Sequence, residues 1–418
     1  MRKCAKLYLC ENFAITLNTL LNATDLIAAQ AHSTRSASSP AESHTLLPHL
    51  SQAVISLRHL RQNVRALKQW IGQREIMAIV KANGYGHGVE GIAKPLVSEG
   101  VSHFGVANIS EAIHLRHVLQ KQAVRQPVHI LAFASALPEH LPLYLQHDIE
   151  LSISDERLFR CAETVAASFG KPIVAHLKID TGMGRLGVAP SEALALAEKI
   201  FHSPFVKLKA LYTHFASSGV DCEFTRTQLS TYLSLVREFE HRTQRRVLRH
   251  AANSGAILTE RASHLDMVRP GILLYGYAPS SDFKVTMPLQ PVMQLQSRVM
   301  FIKWVEQGTT ISYGRQWRAP RRTRIATVSI GYADGYPRAL LNKATVWIRG
   351  KPFPQVGAVT MDAIMVNLGT DESVQVGDEV VLFGWNAEPV NSLAERIGTI
   401  GYEMLCAVSP RVARVWVE

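Results

Sequence analysis

Between residues 57 and 285, short apolar runs alternate with segments that carry a helical apolar stripe, and this alternation limits the fold more than any other feature. Leu57, Leu60, Val64, Leu67 and Ile71 recur three and four apart, the period of one helix face. The apolar run 76–80 follows and ends at Lys81. Strand-like runs then recur at 103–107, 128–133, 150–154, 173–179, 208–215, 247–252 and 267–273. Helical patterns separate most of them, as at 155–168, 191–201 and 226–242, and Asn108 with Glu111 opens another helix in a capping-box-like start. Eight strands alternating with helices over this length predict an α/β fold, a (β/α)8 TIM-type barrel. A doubly wound open sheet is the alternative, but it would often carry a glycine-rich dinucleotide fingerprint after its first strand, and the sequence has none.

After residue 285 the texture changes. Runs at 292–305, 324–330, 344–348, 363–367 and 379–383 read as strands separated by turn signals, with one helix-like segment at 392–397. The expected organisation is therefore a barrel over 49–285 and a mainly β C-terminal domain over 286–418. Residues 1–48 begin basic, pass through an interrupted apolar stretch and end in a serine-rich run. They read as a disordered extension, with a cryptic export signal as the lesser alternative.

The 45 Lys and Arg against 34 Asp and Glu give a net charge of +11. The basic residues are scattered, and their densest groups lack interleaved aromatics, so neither nucleic acid nor membrane is expected as a partner. No segment reaches the roughly 18 apolar residues of a membrane span. Cys4, Cys10, Cys161, Cys222 and Cys406 are odd in number and form no CxxC pair. That argues against a disulfide framework or a zinc site and favours a reducing, cytoplasmic setting.

In such a barrel the chemistry sits at the C-terminal ends of the strands. The first strand ends at Lys81, followed by Gly84, Gly86 and Gly88. A lysine desolvated there has its neutral amine favoured, the form that attacks an aldehyde. Taken alone, it reads more simply as a lysine whose ammonium reaches solvent; the glycines, which allow backbone to approach a ligand, weigh against that. The fifth strand leads into 178–187, with Lys178, Asp180 and Arg185; the sixth ends near His214. The seventh ends in Asn253, Ser254 and Gly255, and the eighth carries Arg269, Gly271 and Ile272. Barrels often build a phosphate site after strands seven and eight, and a reactive lysine, a phosphate cradle and an arginine suit pyridoxal 5′-phosphate (PLP).

The segment 80–88 resembles the PLP-lysine motif of the alanine racemase family, and 178–187 resembles a second motif of that family. The stretches 214–216, 253–255, 269–276, 312–314, 331–336, 361–362 and 401–403 also match, so the resemblance runs from about residue 50 to the end. It implies interconversion of L- and D-alanine by two bases on PLP, supplying D-alanine for peptidoglycan, in a homodimer with shared active sites. It further implies that Lys81 joins the cofactor and acts as one acid/base, while Tyr313 from the partner subunit acts on the opposite face. Arg269 faces the pyridine nitrogen and His214 packs beside it. Tyr85, Ser254, Gly271, Ile272 and Tyr402 hold the phosphate. Arg185 positions cofactor and substrate, Met361 offers a backbone N–H to the substrate carboxylate with Asp362 nearby, and Lys178 resembles a lysine that can be carbamylated. An arginine gives up a proton poorly, so the ring is a weak electron sink and transamination is disfavoured.

Singly, these residues carry little: His214 reads as a core histidine, Tyr313 as a strand-edge aromatic, Met361 as a turn residue, Tyr402 as core, and Asn253 as a turn former. Two departures from the family pattern stand out. Gly84 replaces a commoner alanine, and Gly219 falls where some members are acidic, with Asp221 close behind. A broad-specificity racemase shares all this chemistry and remains open as an alternative. A non-catalytic PLP carrier would lack the β domain. A decarboxylase of related architecture would set an acidic residue, not Arg269, against the ring.

Overall fold

The structure, a computed structural model, describes residues 50–418. The expected extension over 1–48 lies outside the described residues. The chain begins with β1 (Gln52–Ser56), followed by the helix Leu57–Ile71. Ser56 caps that helix by accepting from the His59 N–H at 3.2 Å, and Leu60, Val64, Leu67 and Ile71 are buried on the expected face.

Eight parallel strands then close into a barrel. They are β2 (Glu75–Ile79), β3 (His103–Val106), β4 (His129–Ala132), β5 (Glu150–Ile153), β6 (Ile173–Lys178), β7 (Val206–Tyr212), β8 (Leu248–His250) and β9 (Met267–Val268). The barrel closes by pairing β9 with β2, Ile76 opposite Val268. Each strand overlaps an apolar run of the sequence, but the last two are shorter than expected. Pro270 has no N–H to give a ladder, and the chain turns at Gly271 into the 3-10 turn Ile272–Tyr275. Leu273 and Leu274 stay buried there, so the apolar run outlasts the strand.

The rest of the chain builds β10 (Met293–Val305), β11 (Thr310–Ile311), β12 (Trp317–Arg318), β13 (Thr323–Val328), β14 (Thr345–Ile348), β15 (Lys351–Val356), β16 (Ile364–Gly369), β17 (Glu379–Phe383) and β18 (Ala413–Val417). An eight-stranded sheet runs β13-β16-β15-β14-β17-β10-β1-β18, and β10 also pairs with β13, so the sheet curls back on itself. Thus β1, which precedes the barrel, belongs to this second sheet, antiparallel to β10 and parallel to β18. Pro352 and Pro354 hide β15 in the sequence. They are tolerated because that part of the strand pairs only with β14, while β16 joins at Gln355 and Val356.

The glycines after Lys81 do something other than admit a ligand. A Cβ at Gly86 would collide with the Leu405 carbonyl oxygen, and one at Gly88 would meet Trp416. They let the first barrel loop pack against the C-terminal helix Gly401–Ala407 and β18. Gly86→Ala, at φ 80° and against rigid backbone, is expected to destabilise the fold by about 2–4 kcal/mol, from left-handed strain plus overpacking. Denaturant unfolding checks this, and a midpoint unchanged from wild type would contradict it.

Candidate active site

The barrel's C-terminal mouth holds a cavity of about 580 Å³. Its walls include Lys81, Tyr85, Lys178, Arg185, His214, Ser254, Arg269, Gly271 and Tyr402, drawn from six separate stretches of the chain. Tyr212, Asn253, Glu403 and Cys406 also line it.

Lys81 leaves β2 on an unusual turn. Ala82, Asn83, Gly84 and Tyr85 all have left-handed backbone, with φ between 51° and 63°. Three of these are not glycine, and such conformations cost on the order of 1–2 kcal/mol each. Tertiary contacts hold them. The Glu111 carboxylate accepts from the Ala82 N–H at 2.9 Å and from the Ala107 N–H at 2.7 Å, and Asn83 Oδ1 accepts from the Val89 N–H at 2.8 Å. The Lys81 amine faces the open cavity and is reached by solvent. Burial by the cavity walls, and then the charge of Arg185, lower its pKa.

Arg185 is set by a loop wound on one carboxylate. Asp180 Oδ1 accepts from the N–H groups of Gly182, Met183 and Gly184 at 2.8–3.1 Å. Lys178 is 4% exposed, and burial with the charges of Arg185 and Arg269 brings its amine down to about 8. Arg269 is 3% exposed. Its guanidinium donates to the carbonyls of Thr213 (2.7 Å) and Ala251 (2.9 Å) and meets His250 Nδ1 at 2.9 Å and His214 Nδ1 at 3.2 Å. Burial lowers its pKa to about 10, and burial together with Arg269 keeps His214 neutral.

Just after β8, beside Arg269, Asn253 caps the helix Ser254–Thr259 through the Ala256 N–H at 3.1 Å. Its side chain is therefore committed to shaping the turn. Ser254 Oγ accepts from the Gly271 N–H at 2.9 Å, which leaves the hydroxyl proton free to donate into the cavity. The Gly271 N–H is thus spoken for within the protein. A Cβ on Gly271 would run into the Tyr85 hydroxyl, so a larger residue there would push that phenol out of place. Ile272 is buried and opens the 3-10 turn, where the first N–H groups have no acceptor within the turn. Tyr85 and Tyr402 lie with ring centres 5.9 Å apart, and burial pushes both phenols up, so they are hydrogen-bond donors at neutral pH.

Three expected residues do not line this cavity: Ile272, which directly follows the lining residue Gly271, and the more distant Tyr313 and Met361. Tyr313 is 74% exposed and Met361 52% exposed. Tyr313 sits on the tip of the β11–β12 hairpin, beside Ser312 at φ 64° and Gly314 at φ 72°. Ser312 Oγ donates to the Ala358 carbonyl at 2.8 Å, which ties the tip to the segment leading to Met361. Asp362 pairs with Arg411 at 2.8 Å.

The model of the alanine racemase N-terminal domain matches residues 55–279, and that of the alanine racemase C-terminal domain matches 292–416. The chain belongs to the alanine racemase family. An alanine racemase of Chlorobaculum tepidum is 52% identical over 369 residues, 88% of this chain and 96% of that protein. The structure of the alanine racemase of Streptomyces coelicolor superposes with a TM-score of 0.85 at 32% identity, covering 89% of this chain and 99% of that one. That of Bartonella henselae, solved with covalently bound pyridoxal phosphate, gives 0.80 at 29% identity, covering 88% and 100%. Racemase family membership accounts for the barrel followed by a β domain. Sequence reasoning overlooked Glu111 as a clamp on the lysine turn, and Tyr212, whose ring stacks on His250 at 4.7 Å. The Asn108–Glu111 pair was the signal for the first; nothing local marked the second.

Proposed function

We propose that this chain racemises alanine with pyridoxal 5′-phosphate, as a homodimer in the cytoplasm, and so supplies D-alanine for peptidoglycan. The observation that carries the reading is Lys81, held on a strained turn in a cavity that also gathers Lys178, Arg185 and Arg269 against the single carboxylate of Glu403. Such a charge balance suits a ligand with phosphate and carboxylate groups. The residues fit the cofactor: a lysine for the covalent link, Ser254, Tyr85 and Tyr402 as donors for the phosphate, and Arg269 for the ring nitrogen. When bound, the cofactor delocalises the electron pair released as the α-hydrogen leaves as a proton.

The chain's own residues do the rest. Arg185 orients the substrate carboxylate. The Lys81 amine, depressed by burial and by Arg185, takes or returns the α-proton on one face. The phenol of Tyr313 from the partner subunit serves the other face, with the Met361 N–H beside it. The exposure of both residues, and the bond from Ser312 to Ala358 that links their segments, support their facing a second copy. The choice of alanine over larger amino acids follows the relatives' activity.

The test is a racemisation assay of purified protein across a panel of amino acids, with borohydride trapping of the cofactor. L-Alanine is expected to be turned over best, and peptide mapping is expected to find the cofactor on Lys81. Attachment elsewhere, or a preference for basic amino acids, would overturn the corresponding part of the reading.

A further inference from the structure

Below the cavity a line of buried polar side chains runs down the barrel interior. Arg269 Nη1 meets His250 Nδ1 at 2.9 Å, His250 Nε2 meets His176 Nδ1 at 2.9 Å, and His176 Nε2 meets Glu150 Oε2 at 2.8 Å. Both histidines are fully buried and Glu150 is 5% exposed. Glu150 is the first residue of β5, at the end of the barrel away from the cavity. Its other oxygen accepts from Lys209 Nζ at 2.7 Å and lies 2.9 Å from His129 Nδ1.

The two ends of this line have fixed polarity. A guanidinium only donates and a carboxylate only accepts. Two neutral imidazoles can then satisfy all three bonds in one way only: each carries its proton on Nε2 and accepts at Nδ1. A second proton on either ring would set an N–H against another donor. Burial, outweighing the pull of Glu150 on His176 and joined by Arg269 at His250, keeps both rings neutral. Tyr212, stacked on His250 and bonded to Ser152 at 2.6 Å, fixes the ring plane.

We infer that Glu150 is a positioning residue for racemisation: through His176 and His250 it keeps a ring nitrogen as an acceptor for Arg269 and so fixes the guanidinium that faces the cavity. The inference rests on the reading of Arg269 as the group that meets the cofactor ring. Glu150→Gln is the informative change because it preserves size. The Lys209 ammonium, a charged donor, takes the amide oxygen, so the amide NH2 faces His176. Both tautomers then reverse, and His250 presents an N–H to Arg269. Adding Lys209→Met frees the amide to turn back and restores the original direction.

The experiment is 15N NMR of histidine-labelled protein, with and without PLP, read beside turnover. Wild type should show His176 and His250 neutral and protonated on Nε2. Glu150→Gln should move the His250 proton to Nδ1 and lower kcat roughly ten- to a hundredfold, as expected for one lost hydrogen bond to a charged group. The double variant should regain most of both signals. A charged or Nδ1-protonated ring in wild type overturns the inference. So does lost activity with tautomers unchanged, or a double variant no better than the single one. If Glu150→Gln does not fold, the wild-type spectrum still decides the polarity. Failure of wild type to bind PLP or racemise alanine would instead count against the proposed function, since the tautomers are read without the cofactor as well.

Discussion

Replacing Lys81 with alanine is expected to lower alanine racemisation at least about a thousandfold, within the range that a positioned acid/base contributes. The same loss is expected for Lys81→Arg, and this second variant makes the test specific. Arginine keeps the positive charge and most of the length, but it stays protonated and does not form the covalent link. If Lys81 only attracted anionic groups into a cavity that already holds Lys178, Arg185 and Arg269, the arginine variant would keep most of the activity. The strained backbone from Ala82 to Tyr85 argues for the stricter role, because the fold holds this side chain at one place at a steric cost. Circular dichroism should show both variants folded, and borohydride should no longer fix the cofactor. Activity within tenfold of wild type in either variant would remove Lys81 from the chemistry.

The barrel was readable because its strands are buried on both faces and stand out as apolar runs between striped helices. The ends of β8 and β9 were not, since Leu273 and Leu274 are as buried in the 3-10 turn as they would be in a strand. The place of β1 was not readable either: its partners β10 and β18 lie hundreds of residues away, and five residues carry no mark of which sheet they will join. Residues such as Lys81 and Arg269 were found through motifs at strand ends. The Glu150–His176–His250 line escaped, because each member sits alone within an apolar strand and gains meaning only when the barrel brings them together.

Tyr313 tests whether one chain holds a complete site. Tyr313→Phe is expected to lose roughly a hundred- to ten-thousandfold in turnover while keeping α-deuterium exchange from one enantiomer, the one whose proton Lys81 removes. The phenol stands on a hairpin tip, 74% exposed and absent from the walls of its own cavity. Those walls do offer other titratable groups, among them Tyr402, His214 and Cys406. If one of them were the second base, Tyr313→Phe would keep its turnover. If Tyr313 is the base, what is left is whether it acts on its own chain or on its neighbour's. Mixing inactive Lys81→Ala chains with inactive Tyr313→Phe chains separates the two cases. If the tyrosine crosses to the neighbour, each mixed dimer has one site with both groups intact. Random exchange then restores roughly a quarter of wild-type turnover, because half of the dimers are mixed and each is half complete. If the phenol acts on its own chain's cavity, every site in the mixture lacks one group and no activity returns. Turnover that rises with the time allowed for subunit exchange would establish the shared site, and a flat, inactive mixture with exchange verified independently would exclude it.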